Sequence, residues 1–172
     1  MINEKSMTLA TDYHPGIDSA GWLVSEKMED VRAYWDGVQF WTRGGNVIAA
    51  PAWFTRGLPA KPLDGGIWAG RGRFEEARQA VQLGRWTRRC RFVAFDAPQT
   101  RGTWQRRMAG ASRLWRDVVS FEVCKGHGWL MDRLREVQTG GGEGLVIRHP
   151  AIDCYEKGRT ENVLKVKFTF PS

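Results

Sequence analysis

Three short stretches place charged side chains where strand-like segments meet tight turns. They are Ser25-Glu26-Lys27-Met28-Glu29-Asp30-Val31-Arg32, Glu143-Gly144-Leu145-Val146-Ile147-Arg148 and Val163-Leu164-Lys165-Val166-Lys167. Alternation along a strand puts Lys165 and Lys167 on the same face. Two ammonium groups there repel each other unless an anion lies between them. A triphosphate or a DNA phosphate meets that need, and so does solvent. The charge balance points the same way: 26 Lys and Arg against 19 Asp and Glu give +7, and the pI is near 9.7, which suits a partner rich in phosphate. The basic residues cluster at Arg71 and Arg73, then Arg85, Arg88, Arg89 and Arg91, then Arg101, Arg106 and Arg107. Arg holds phosphate oxygens in a fixed fork, although the same clusters also read as a solvated basic face.

Other chemistries lack support. There is no G-x-x-x-x-G-K phosphate loop, no G-x-S-x-G elbow and no H-E-x-x-H. His14, His127 and His149 show no ligand spacing. Cys90, Cys124 and Cys154 are odd in number and form no C-x-x-C pair, so they read as reduced thiols rather than a disulfide frame or a zinc site. With 172 residues, 42% of them hydrophobic, the chain is large enough for a real core. The apolar run over residues 47–54 is too short to span a membrane and is broken by Pro51. The first residues lack a signal-peptide core, so the expected location is the cytoplasm.

The elements that must position these residues follow from patterning. Strands are predicted over residues 21–25, 31–35 and 38–42, with a turn at Asp36-Gly37 between two aromatic-rich runs. Further strands are predicted over 63–68, 91–95, 145–148 and 163–168. Helices are predicted over 74–83, 103–113 and 129–137, and a loop over 139–142. Hairpins and scattered helices, without βαβ alternation, imply an α+β fold with mostly antiparallel sheets. Most of the nine Trp residues fall in strand-like segments and read as core anchors.

Taken together, these stretches resemble the nucleotidyltransferase domain of small ATP-dependent DNA ligases. The run from Ser25 through Asp36-Gly37 is similar to the first motif. Arg43 matches the Arg of the next, and 63–68 aligns with the third. Phe95-Asp96-Ala97-Pro98, Glu143-Gly144 and Lys165-Val166-Lys167 come next in family order. Residues 50–55 and 57–59 are also typical of the small ligases. The likeness runs from about Asp12 to Lys167. It implies an α+β, ATP-grasp-like domain with two mostly antiparallel sheets, flanked by helices, around a nucleotide cleft. It implies that Lys27 attacks ATP and becomes adenylated. A lysine near pKa 10.4 (roughly, for the free side chain) is a poor nucleophile at neutral pH and needs burial or a neighbouring cation, a field Lys165 and Lys167 would supply while holding phosphates. Arg32 and Arg43 would contact the ribose and the nick phosphate. Phe95 would stack on adenine, and Ser25 would hydrogen-bond to it. Glu143, with Glu29, would bind Mg²⁺ or Mn²⁺. The implied partner is nicked double-stranded DNA. Singly, Lys27, Phe95 and Glu143 read as a surface lysine, a core aromatic and a loop carboxylate; their joint order is what favours function.

The chain departs from the family pattern at its chemistry. The first motif reads Lys27-Met28-Glu29-Asp30 where the family has Lys-x-Asp-Gly. Gly66 stands where the third motif carries a Glu, for which Asp64 or Glu29 is a candidate substitute. The sequence ends just past the fifth motif, so the expectation is one nucleotidyltransferase domain over 1–172 with no OB-fold domain, and an OB-fold or other protein acting in trans. The expected function is an ATP-dependent ligase acting through Lys27-AMP at nicked DNA. The alternative is a catalytically impaired ligase-like protein that binds DNA ends, nucleotide or a partner. A related RNA ligase or capping-type guanylyltransferase is a third, weaker reading.

Overall fold

The computed structural model describes residues 1–168, a range that includes Lys165 and Lys167. Ten strands and four helices are present among the described residues. Five strands form one sheet: β1 (Thr8–Asp12), β2 (Leu23–Lys27), β8 (Glu122–Val123), β9 (Gly144–Arg148) and β10 (Gly158–Val166), ordered β1-β10-β9-β2-β8. The other sheet holds β3 (Val31–Trp35), β4 (Phe40–Trp41), β5 (Val47–Ile48), β6 (Leu63–Trp68) and β7 (Arg91–Asp96), ordered β5-β4-β3-β6-β7. Every ladder is antiparallel except β1 with β10. The α+β architecture with two mostly antiparallel sheets is therefore the one the sequence implies.

Each sheet has its own core because each packs helices on one face. Behind β9, Leu145 and Ile147 meet Leu130 and Leu134 of α4 (His127–Thr139), all essentially buried. Their i, i+4 spacing on the helix puts the two leucines on one side. The second core joins Phe40, Leu63, Ile67 and Phe92 to Ala77 and Ala80 of α2 (Phe74–Leu83) and to Trp104 and Met108 of α3 (Trp104–Leu114). Thr103 caps α3 by accepting the Arg106 amide, and Gly84 ends α2 in the left-handed region. A four-residue helix, α1 (Ala52–Thr55), completes the set. Trp22, Trp35, Trp104 and Trp115 are buried; the other five indoles are half-buried.

Several local expectations shift. The strand expected over 21–25 runs Leu23–Lys27, which carries the first motif into the sheet. The strand expected over 38–42 shrinks to Phe40–Trp41 because the turn is longer than Asp36-Gly37. The Asp36 carboxylate accepts the amides of Val38 at 2.7 Å and Gln39 at 2.8 Å, withdrawing them from any ladder, while Trp35 pairs with Phe40. β10 begins at Gly158, ahead of the expected residue 163, because its polar first half pairs with β1, an element with no clear alternation. Cys90 and Cys124 are buried and Cys154 is exposed, all as free thiols. No helix among the described residues is long and apolar enough to cross a membrane.

Candidate active site

The chain crosses between sheets at residues 28–30. β2 ends at Lys27 in one sheet, and β3 starts at Val31 in the other. The crossing therefore borders the gap between the sheets. A cleft of about 270 Å³ opens there, just below the range for small-ligand sites (about 300–1,000 Å³). Ser25, Lys27, Asp30, Arg32, Arg43, Phe95 and Lys165 all line it. Residues far apart in sequence thus meet because one sheet offers a face to this space, through Ser25 and Lys27 of β2, Val146 and Arg148 of β9 and Val163 and Lys165 of β10, while the other supplies Arg32, Asp64 and Phe95.

Lys27 donates to both Glu143 oxygens at 3.1 Å. Its side chain is 30% exposed and that of Glu143 is 15% exposed, so the pair sits at the cleft edge rather than in bulk water. Lys167 donates to Glu143 as well, at 3.2 Å. Lys165 turns instead to Asp12, 3.7 Å away. The two lysines at the end of the chain therefore each face a carboxylate of the protein, and one carboxylate joins Lys167 to Lys27. Glu29, Glu143 and Lys167 do not line the cleft itself, and Glu143 meets it through its bonds to Lys27; Asp30, the neighbour of Glu29, does line it. Arg43 lines the cleft and lies 3.8 Å from Glu4 across an exposed pair.

Arg32 is fixed by a network that ties the sheets together. Its Nε and Nη2 donate to Asp64 at 2.8 and 2.6 Å, and Nη2 also reaches the Thr8 carbonyl at 2.9 Å. Tyr155 donates its hydroxyl to Asp64 at 2.5 Å and accepts the Thr8 amide at 2.9 Å. Burial works against the Arg32 charge, but the adjoining Asp64 carboxylate outweighs it and holds the guanidinium above its ordinary value. Asp64 itself is fully buried. The Arg32 guanidinium also sits over the Phe95 ring, 5.0 Å from its centroid.

A buried arginine forms the back wall. Arg148 donates to Ser25 Oγ at 2.7 Å and lies 4.3 Å over the Trp104 ring. Burial pushes it down to about 10. Nearby, Arg107 donates to both Asp96 oxygens at 2.7 and 3.2 Å. Arg107 belongs to a basic cluster in the sequence but is buried, so it braces β7 against α3 rather than meeting a phosphate. Arg71 is likewise occupied, by Glu26 at 2.8 and 2.9 Å. Tyr155 and the structural role of Arg148 were not visible in the sequence. Tyr155 stands in a polar loop without pattern, and Arg148 looks like any strand-end charge.

Asp30 occupies the floor. A Cβ built on Gly66 would lie 1.8 Å from Asp30 Oδ2, 2.2 Å from its Cγ and 2.7 Å from its Cβ. The carboxyl is pushed up to about 7, by desolvation first, with Arg32 and Lys27 pulling it down and Asp64 and Glu143 pushing it up.

A single carboxylate, Glu143, hydrogen-bonded at the cleft edge, fits the way Mg²⁺ is usually held: one or two carboxylates, with phosphates and waters completing the shell. No group of three or more His, Cys, Asp or Glu able to hold a metal by themselves exists among the described residues.

No family model matches the chain. A DNA ligase of Haemophilus influenzae is 32% identical over 156 residues, covering 86% of this chain and 58% of the relative. The chain thus spans somewhat more than half the length of that curated relative. A solved Lig E DNA ligase, described as binding DNA with a minimal scaffold, superposes with a TM-score of 0.86 at 36% identity, covering 95% of this chain and 68% of the other. The Chlorella virus DNA ligase–adenylate gives a TM-score of 0.79 at 20% identity over 95% of this chain and 67% of the other, which bears on the fold.

Proposed function

We propose that this chain, which belongs to the DNA ligase family, transfers an adenylyl group from ATP through Lys27 to the 5′-phosphate of nicked DNA. The observation that carries the reading is the place of the Lys27 amine. It stands at the edge of a cleft that Phe95, Arg32, Arg43 and Lys165 also line, hydrogen-bonded to Glu143.

In the first step the deprotonated Lys27 amine attacks the α-phosphorus of ATP. A P–N bond forms, the bond to the bridging oxygen of the β-phosphate breaks, and pyrophosphate leaves. In the second, a DNA 5′-phosphate oxygen attacks the same phosphorus and frees the Lys27 amine. In the third, a 3′-hydroxyl displaces AMP and seals the strand. Phe95 offers a ring face to the base, already bounded on one side by Arg32. Ser25 and Arg148 close the back of the cleft. Arg32, fastened by Asp64, needs no rearrangement to present its remaining surface to ribose or phosphate, which lowers the ordering cost of binding. Lys165 and Arg43 contribute positive charge at the rim, where polyphosphate would lie. Mg²⁺ or Mn²⁺ would be held by Glu143 together with the nucleotide phosphates, and its chemistry there is neutralisation of phosphate charge. Residues 1–172 would act as one nucleotidyltransferase domain, with duplex DNA, and an OB-fold partner in trans where one is supplied, completing the substrate complex.

The test is label transfer. Incubation with α-labelled ATP and Mg²⁺ should attach label covalently to the protein, and the label should pass to a nicked duplex. Lys27→Ala should carry none. Undiminished labelling of Lys27→Ala would refute the assignment, and so would a labelled protein whose adenylyl group never reaches DNA.

A further inference from the structure

Asp30 and Gly66 face each other across the β3–β6 pair, with room for only one side chain between them. Arg32 pairs with Gly66 in the ladder, and Asp30 lies two residues back on the same face of the chain. Because the Asp30 Cβ as well as its carboxylate falls within 2.7 Å of a Cβ at 66, turning the Asp30 side chain cannot clear that space. A side chain at 66 must displace the backbone or the aspartate.

The carboxylate held there is not part of a structural network. Among the described residues no hydrogen bond or ion pair fixes it, in contrast to Asp64, which Arg32 and Tyr155 hold, and Asp96, which Arg107 holds. It lines the cleft with Lys27. Glu143 immediately precedes β9 in one sheet, whereas Asp30 immediately precedes β3 in the other. Lys27 therefore has one carboxylate in contact, Glu143 at 3.1 Å, and a second, Asp30, that lines the same cleft without touching the amine and acts on it by charge. A single contact leaves a four-carbon stem free to swing about it; the charge of a carboxylate fixed on the cleft floor favours the orientations in which the amine points into the cleft.

We propose that Asp30 is a positioning residue for Lys27, and that positions 30 and 66 share one carboxylate-sized volume on the cleft floor which either strand could fill. The proposal rests on the reading of Lys27 as the adenylated residue. Neither Glu29 nor Asp64 takes this place: the former does not line the cleft, and the latter is committed to Arg32 and Tyr155.

The experiment has two arms on the full chain. In the first, Gly66→Ala should lower the melting temperature by about 5 °C through overpacking, and the double variant Asp30→Gly with Gly66→Ala should recover it. A Gly66→Ala protein as stable as its parent overturns the shared volume. In the second, label transfer from α-labelled ATP is followed at varied ATP. Asp30→Asn and Asp30→Gly should slow the maximal rate about tenfold or more with little change in the ATP KM. Asp30→Gly combined with Gly66→Asp, which returns a carboxylate to the same space from the other strand, should restore most of it. Full-rate labelling of Asp30→Asn, or no recovery in the double variant, overturns the positioning role while leaving Lys27 in place. A parent protein that takes no label at Lys27 overturns the reading of Lys27 itself, and the role of Asp30 with it.

Discussion

Glu143 receives two ammonium groups, from Lys27 and Lys167, so the charge of any incoming phosphate is weighed against a pair already satisfied. Under the proposed function a nucleotide competes for these lysines, and side chains at the rim such as Lys165, held only at 3.7 Å by an exposed Asp12, are the more readily redirected ones. Asp30 shows the cost of keeping a carboxylate in such a place. Its carboxyl sits at about 7 against an ordinary 3.8, because burial outweighs the attraction of Arg32 and Lys27. A carboxyl that holds its proton more tightly in the folded state stabilises the fold relatively at low pH, and that contribution is lost as pH rises from the unfolded value through the folded one. Asp30→Asn removes the effect. Its melting temperature relative to the parent should therefore climb from about pH 4 to just above pH 7 (the span between the unfolded and folded values). A difference that stays flat with pH would show that Asp30 ionises freely.

At the scale of elements, the decisive feature is that β2 and β3 are neighbours in sequence but lie in different sheets. The short crossing at 28–30 is what turns one sequence motif into both walls of a cleft. β9 is equally constrained. Gly144 pairs with Lys27, and a Cβ at 144 would lie 2.4 Å from the Val166 carbonyl oxygen. Gly144→Ala should therefore push β9 from β10 and destabilise the protein by about 1–3 kcal/mol, measurable by urea unfolding, and should slow label transfer because Glu143 moves with the strand. Alanine tolerated there without loss would mean the strands have slack. The helices α2 and α3 and the strands β6 and β7 were legible because their apolar spacing is regular and their caps are local. β1, β5 and β8 were not: they are short or polar, and β1 and β8 pair with strands distant in sequence.

For the whole molecule, the net charge of +7 is partly internal. Arg107 and Arg148 are buried, and Arg71, Arg78 and Arg89 are paired with carboxylates. Arg88 lies over the face of Trp53, which leaves its hydrogen-bonding edge able to meet phosphate, whereas Arg91, over Trp68, also faces Asp117 at 3.8 Å. Binding to a nicked duplex should consequently weaken by about tenfold or more between 50 and 200 mM salt if several phosphates are contacted. Fluorescence anisotropy with a labelled nick would measure it, and a salt-independent affinity would argue against a phosphate-tracking surface.

The sequence by itself determined the fold class, the order of the motifs and the types of chemical group available, because alternation, turn residues and charge are local properties of the chain. Only the tertiary structure decided which carboxylate meets which cation. Asp64 goes to Arg32 and Tyr155, Glu143 to Lys27 and Lys167, and Asp30 fills the space above Gly66 while Glu29 does not line the cleft. Those partnerships depend on the register of two sheets and on close approach between residues as far apart in the chain as Lys27 and Glu143, which no local pattern encodes.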